Sequence, residues 1–241
     1  MARSSVVSIV LVCLIFGYLG YYSYGLLLNS ARFSPVIESG TKTLTVPLLA
    51  VDENNEGMVI LLNVELKPGT GKVLVNIDNP SFIQDTQDSM RLAVKEAAQM
   101  TGTDAKVYDV IFSLNANVSV IGGPSAGAAM TIGTIALLLD KQLKPDVAIT
   151  GTIEDGGYIG AVGGILEKAT AAKRYGVELV LVPSGESFSR EPLENCTQSV
   201  GNSWRQKECS ITYKTVNISQ EVGVEMQEVD TISEAMRYIL E

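Results

Sequence analysis

The chain has 241 residues, 46% apolar and 19% charged, a composition that fits one large domain or two small ones with room for a core. A net charge of −9 and only 6% aromatic residues argue against a nucleic-acid surface, which needs basic groups for phosphates and aromatic platforms for unpaired bases. There is no histidine, so a Ser-His-Asp triad is excluded, and a serine nucleophile would have to hand its proton to another kind of side chain.

Residues 5–28 carry no charge. As a helix they would extend about 36 Å, enough to cross a bilayer. Tyr18, Tyr21, Tyr22 and Tyr24 cluster toward the end of the segment, where interfacial aromatics belong. The expectation is a single-pass membrane anchor over residues 1–29. The alternative is a cleaved signal peptide, with an apolar region at 6–16 and small residues at Ser30 and Ala31. Arg3 precedes the segment, which puts the rest of the chain on the extracytoplasmic side, secreted if the segment is cut. Residues 30–42 read as a connector.

Apolar β-rich runs follow at 43–51, 58–66 and 73–77, separated by turn chemistry at 52–57 and 67–71, and they read as an antiparallel meander. Ser81 and Gln84 have the spacing of a capping box, and Ile83, Met90, Ala93, Val94 and Ala97 share one helical face, predicting a helix to about Met100. A strand is expected at 106–114, a buried helix at 125–139, and a short strand at 147–150. Asp155-Gly156-Gly157 marks a hairpin turn. A helix at 165–175 is stopped by Gly176, and a buried strand follows at 179–183. Residues 184–210 read as polar and irregular, and they contain the one Trp, Trp204. A strand at 224–229 and a helix capped by Thr231 and Glu234 close the chain. There is no internal repeat and no obvious linker, so residues 43–241 read as one α/β domain.

Two stretches carry chemistry. Ser125 stands in Gly122-Gly123-Pro124-Ser125-Ala126-Gly127, at an expected helix start. The glycines permit tight turns and close substrate approach, Pro124 fixes φ, and the backbone N–H groups of Gly123, Ser125 and Ala126 can face an oxyanion. On local pattern alone a plain capped helix explains the same residues. Lys168 shares a helical face with Gly164, Ile165, Ala171 and Ala172. A lone lysine on such a face is costly unless its head reaches water or it has a task. Burial lowers a lysine's pKa and would let it act as a base.

The run from Gly122 to Met130 resembles the serine motif of the Lon protease family. The run Ile149-Thr150-Gly151-Thr152, followed by Tyr158 through Ala169, resembles that family's lysine motif, and the order and separation of the two also match. The similarity covers about residues 43–241, the proteolytic domain alone. It implies a domain with an antiparallel amino-terminal part and a mixed sheet carrying a Ser-Lys dyad. Ser125 would attack the peptide carbonyl, and neutral Lys168 would take the hydroxyl proton and return it to the leaving amine. Thr150 matches a threonine that holds the lysine amine by a hydrogen bond.

Two departures stand out. Gly122 occupies a position where many family members carry an acid, which should leave Lys168 with a lower pKa. The family's ATPase has no counterpart in this sequence. Pro68-Gly69-Thr70-Gly71-Lys72 looks like the end of a phosphate-binding loop, but Leu66 and Val73 stand where Gly and Ser or Thr are needed. The expected function is therefore an ATP-independent serine endopeptidase cutting unfolded or flexible protein segments, without cofactor, nucleotide or nucleic acid. The alternative is a non-catalytic, membrane-anchored peptide-binding module on the same fold. The resemblance also implies a ring-shaped homo-oligomer. No metal site is expected, since Cys196 and Cys209 lack metal-ligand spacing. Those two cysteines could instead form a disulfide outside the cytosol, or remain as free thiols. Asn117, Asn195 and Asn217 begin glycosylation triplets.

Overall fold

The computed structural model describes residues 40–76, 81–115, 120–121, 123–200 and 205–241. The expected anchor at 1–29, most of the connector, the triplet at Asn117, Gly122 and Trp204 lie outside the described residues. Among the described residues no helix is long and apolar enough to cross a membrane.

Alternation along the first strands sets the architecture. In β2 (Gly57–Pro68) every second residue from Ile60 to Leu66 is buried. It pairs antiparallel with β1 (Lys42–Val51) through a turn whose N–H groups at Asn54 and Glu56 donate to the Asp52 carboxylate, at 2.9 and 2.7 Å. The expected third meander strand is placed differently. β3 (Val73–Val75) lies parallel to β5 (Tyr108–Asn115), and β5 sits between it and β2. The cause is the 69–72 turn. Its N–H groups at Thr70 and Lys72 donate to the Asp109 carboxylate of β5, at 2.7 and 2.9 Å, and those at Gly69 and Gly71 to the carbonyls of Val107 and Tyr108. These donors hold the Asp109 carboxyl below its usual pKa, and a turn whose N–H groups are spent in this way cannot cradle a phosphate.

The chain then passes through β4 (Ser81–Phe82) and α1 (Gln84–Thr101) to β5, β6 (Val120–Ile121) and α2 (Gly127–Leu138). The expected capping box is absent, because Ser81 and Phe82 pair with Val120 and Ile121 and the cap position falls to Ile83, which has no capping side chain. β7 (Val147–Ile149) runs parallel to β1. After the small hairpin β8 (Thr152–Glu154) and β9 (Tyr158–Gly160), α3 (Ile165–Tyr175) ends at Gly176, whose φ of +101° needs glycine. β10 (Leu179–Pro183) lies parallel to β7. Among the described residues the result is a mixed seven-stranded sheet, with β13 (Glu225–Val229) at one edge and β3 at the other.

Each strand sends alternate residues to opposite faces. Leu48, Ile149 and Leu181 join α1, α2 and α5 (Ile232–Ile239) in one core. Leu49, Ala148, Val180 and Val182 join α3 and Ile218 of α4 (Ile218–Val222) in a second core. The mixed α/β fold agrees with the sequence reading.

Within the stretch expected to be irregular, residues 188–200 and 205–210 are strand. β11 (Phe188–Val200) and β12 (Arg205–Asn217) pair antiparallel along their whole length, and Cys196 and Cys209 are directly opposed and joined in a disulfide. The ribbon buries little of itself, so its strands carry no apolar alternation to read. Phe188, Ile211 and Tyr213 are exposed on one face of it.

Candidate active site

Ser125 does not open a helix. It lies in a turn ahead of α2, with Ala126 as the cap residue. Gly123 has φ +94° and open space around a would-be Cβ, so it is the backbone conformation that calls for glycine there. Gly127 is needed for a different reason. A Cβ on it would stand 2.7 Å from the Ile153 nitrogen and 2.6 Å from Ile153 Cγ2.

The turn is bound to the segment leaving β7. Gly151 N–H donates to the Ser125 carbonyl at 3.0 Å, and Ala128 N–H donates to the Gly151 carbonyl at 3.1 Å. Thr150, buried, donates its hydroxyl to the Ser125 carbonyl at 3.4 Å. The structure thus ties Thr150 to the serine's backbone rather than to the lysine amine.

The three expected oxyanion donors fare differently. Gly123 N–H points to the Asp85 carboxylate of α1, 3.4 Å away. Among the described residues the N–H groups of Ser125 and Ala126 have no acceptor.

Lys168 is placed by close packing of α3. Gly164, with φ +70°, lets the helix start against β1, since a Cβ there would come within 2.6 Å of Val51 Cγ2. Gly57 packs directly on the Glu167 carbonyl, and Arg174 Nη2 donates to the Gly57 carbonyl at 2.8 Å. Lys168 is only 3% exposed and belongs to none of the salt bridges among the described residues. Burial lowers its pKa from 10.5 to about 8, while the charges of Glu186 and then Glu167 pull the other way.

Ser125 and Lys168 line one cleft of about 540 Å³, walled by Ala50, Val51, Thr152 and Gly164. Among the described residues no direct hydrogen bond joins their side chains. A second, enclosed pocket of about 30 Å³ adjoins Ser125 and is lined by Leu48, Ala50, Ile60, Leu62, Met90 and Met130. Glu194, Cys196 and Cys209 also lie close together, but the two sulfurs are bonded to each other and offer a metal no thiolate.

The sequence reading did not find Asp85, Thr86, Glu186 or the apolar pocket. No local pattern marks them, because each reaches the site from a distant element.

Residues 48–217, well over half the chain, match the family model of the Lon protease (S16) C-terminal proteolytic domain. The Lon protease of Phenylobacterium zucineum is 29% identical over 155 residues, covering 63% of this chain and 20% of that protein. The Lon protease of Koribacter versatilis is 38% identical over 111 residues, 44% of this chain and 14% of the relative. The archaeal Lon protease of Methanocaldococcus jannaschii is 43% identical over 80 residues, 33% of this chain and 12% of the relative. The matches thus span a fifth or less of the length of these proteins.

Proposed function

Because the chain belongs to the family of Lon protease C-terminal proteolytic domains, we propose that it is a serine endopeptidase with Ser125 as nucleophile and Lys168 as general base. The observation that carries this reading is a lysine 3% exposed, with a pKa lowered to about 8, lining the same cleft as a serine in whose turn two backbone N–H groups have no acceptor among the described residues.

A substrate strand in the cleft displaces water and draws the Ser125 hydroxyl and the Lys168 amine together. Neutral Lys168 takes the hydroxyl proton as Ser125 Oγ bonds to the carbonyl carbon. The oxyanion is met by the N–H groups of Ser125 and Ala126. The tetrahedral intermediate collapses, the C–N bond breaks, and the Lys168 ammonium protonates the leaving amine. Water then hydrolyses the acyl-enzyme, with Lys168 again accepting a proton. Thr150 fixes the Ser125 carbonyl and so the nucleophile's backbone.

The domain works without ATP on unfolded or flexible segments that can enter the cleft by themselves. The spent N–H groups of the 69–72 turn support this. Residues 1–29 anchor it, residues 30–42 connect, and residues 43–241 act outside the cytosol, in line with the disulfide. The domains assemble as a ring, which sedimentation analysis would read. The test of function is degradation of casein without ATP by the wild type, Ser125→Ala and Lys168→Ala. Loss of cleavage in both variants is expected, and full activity in Ser125→Ala would overturn the reading. A reporter fused at the carboxyl end tests the topology, and cytoplasmic reporter activity would reverse it.

A further inference from the structure

The first turn of α1 approaches the serine turn from outside the cleft and makes contacts that the mechanism above does not use. Thr86, 2% exposed, donates its hydroxyl to the Gly123 carbonyl at 3.2 Å. The Asp85 carboxylate accepts the Gly123 N–H at 3.4 Å and the Thr86 N–H at 2.6 Å. The Thr86 hydroxyl also lies 3.3 Å from that carboxylate, so the two side chains form one unit. Both polar groups of a single glycine are therefore held by adjacent side chains of one helix.

We propose that Asp85 and Thr86 are positioning residues, gripping the N–H and C=O of Gly123 so that the following turn presents the N–H groups of Ser125 and Ala126 to the oxyanion. The inference rests on the hydrolase reading. Its physical basis is the conformational freedom of glycine. Gly123 sits at φ +94° with nothing within 4 Å of a would-be Cβ, so packing does not fix it. The next residue, Pro124, has no N–H with which to tether the turn. Downstream, the turn is held by Gly127 N–H on the Pro124 carbonyl and by Gly151 N–H on the Ser125 carbonyl. Upstream, the described contacts of Gly123 are those with Asp85 and Thr86. If they are lost, rotation at Gly123 carries Pro124 and the Ser125 N–H with it. Oxyanion donors act only when aimed at the position the oxygen takes in the transition state.

The experiment uses the full-length chain and a short peptide substrate. Thr86→Val keeps the side-chain shape, removes the hydroxyl, and sits where water cannot substitute. Its kcat should fall about tenfold with KM changed by less than about twofold, because removal of a whole oxyanion donor costs about 10²–10³ and here the donors are only misaimed. Thr86→Ser should restore most of the rate. Asp85→Ala should behave like Thr86→Val, with Asp85→Asn intermediate, since an amide oxygen still accepts. A peptide boronic acid, which bonds to Ser125 Oγ and places an oxygen in the oxyanion position, should lose affinity in proportion to kcat. A merely structural role would not produce that proportionality. Independently of catalysis, hydrogen exchange at the Gly123 amide should speed up in Asp85→Ala. Unchanged kcat in Thr86→Val and Asp85→Ala, failure of Thr86→Ser to rescue, or unchanged exchange at Gly123 would each overturn the proposal. A Ser125→Ala variant that still cuts the peptide would instead overturn the hydrolase reading, with the exchange result still reporting on the contact.

Discussion

The pH dependence of cleavage is set by Lys168. Burial brings its pKa from 10.5 to about 8. At pH 7 about one tenth of such a lysine is neutral, against about 3 in 10,000 for an unperturbed one, so burial multiplies the competent fraction about 300-fold. The log of kcat/KM should climb with unit slope below about pH 8 and level off above it, since this parameter reports the free enzyme. Glu186 is the perturbation that tests the cause. Its negative charge favours the ammonium and opposes burial, so Glu186→Gln should move the limb to lower pH and raise the rate at pH 7. Glu167→Gln should act in the same direction and by less, its charge being the smaller influence. The assay is initial-rate hydrolysis of a fluorogenic peptide from pH 5 to 10.5 at constant ionic strength. A limb centred near 10, or one that Glu186→Gln moves upward, would refute the reasoning.

Other consequences follow from the same contacts. Lys168→Met should abolish cleavage yet stabilise the fold below pH 8. The unfolded chain keeps this lysine protonated up to about 10.5, so the folding penalty is full below the folded pKa and vanishes between 8 and 10.5. Urea unfolding at pH 7 and pH 10.5 checks this, and equal differences at both would contradict it. Gly127→Ala should cost about 1–3 kcal/mol in urea unfolding, because its Cβ would overlap the Ile153 backbone at 2.7 Å. A wild-type midpoint would show that the helix can shift freely. Removing both cysteines (Cys196→Ser with Cys209→Ser) should speed tryptic cutting at Lys207 and Lys214 about tenfold or more, since an isolated two-stranded ribbon is marginal and the cross-link restrains its open state. Unaltered cutting would show that something other than the disulfide secures the ribbon.

What the sequence disclosed, and what it hid, follows from the range of each interaction. The helices over 84–101 and 165–175 and the buried strand at 179–183 were legible because period and stop signals lie within each segment. Ser125 and Lys168 were legible as motifs, since the glycines that seat them are adjacent in the chain. The place of β3 was not, because Asp109, 37 and 39 residues beyond the turn it binds, decides it. The ribbon was misread as irregular because strands exposed on both faces show no alternation. Loss of Gly123 N–H from the donor set depended on Asp85, 38 residues earlier and on another element.

The central claim is that Lys168 activates Ser125, and labelling with a fluorophosphonate tests it most directly. Intact-mass measurement on the full-length chain without ATP should show a single adduct, mapped to Ser125, in the wild type and none in Lys168→Met. Equal labelling of Lys168→Met, or an adduct on another serine, would contradict the account.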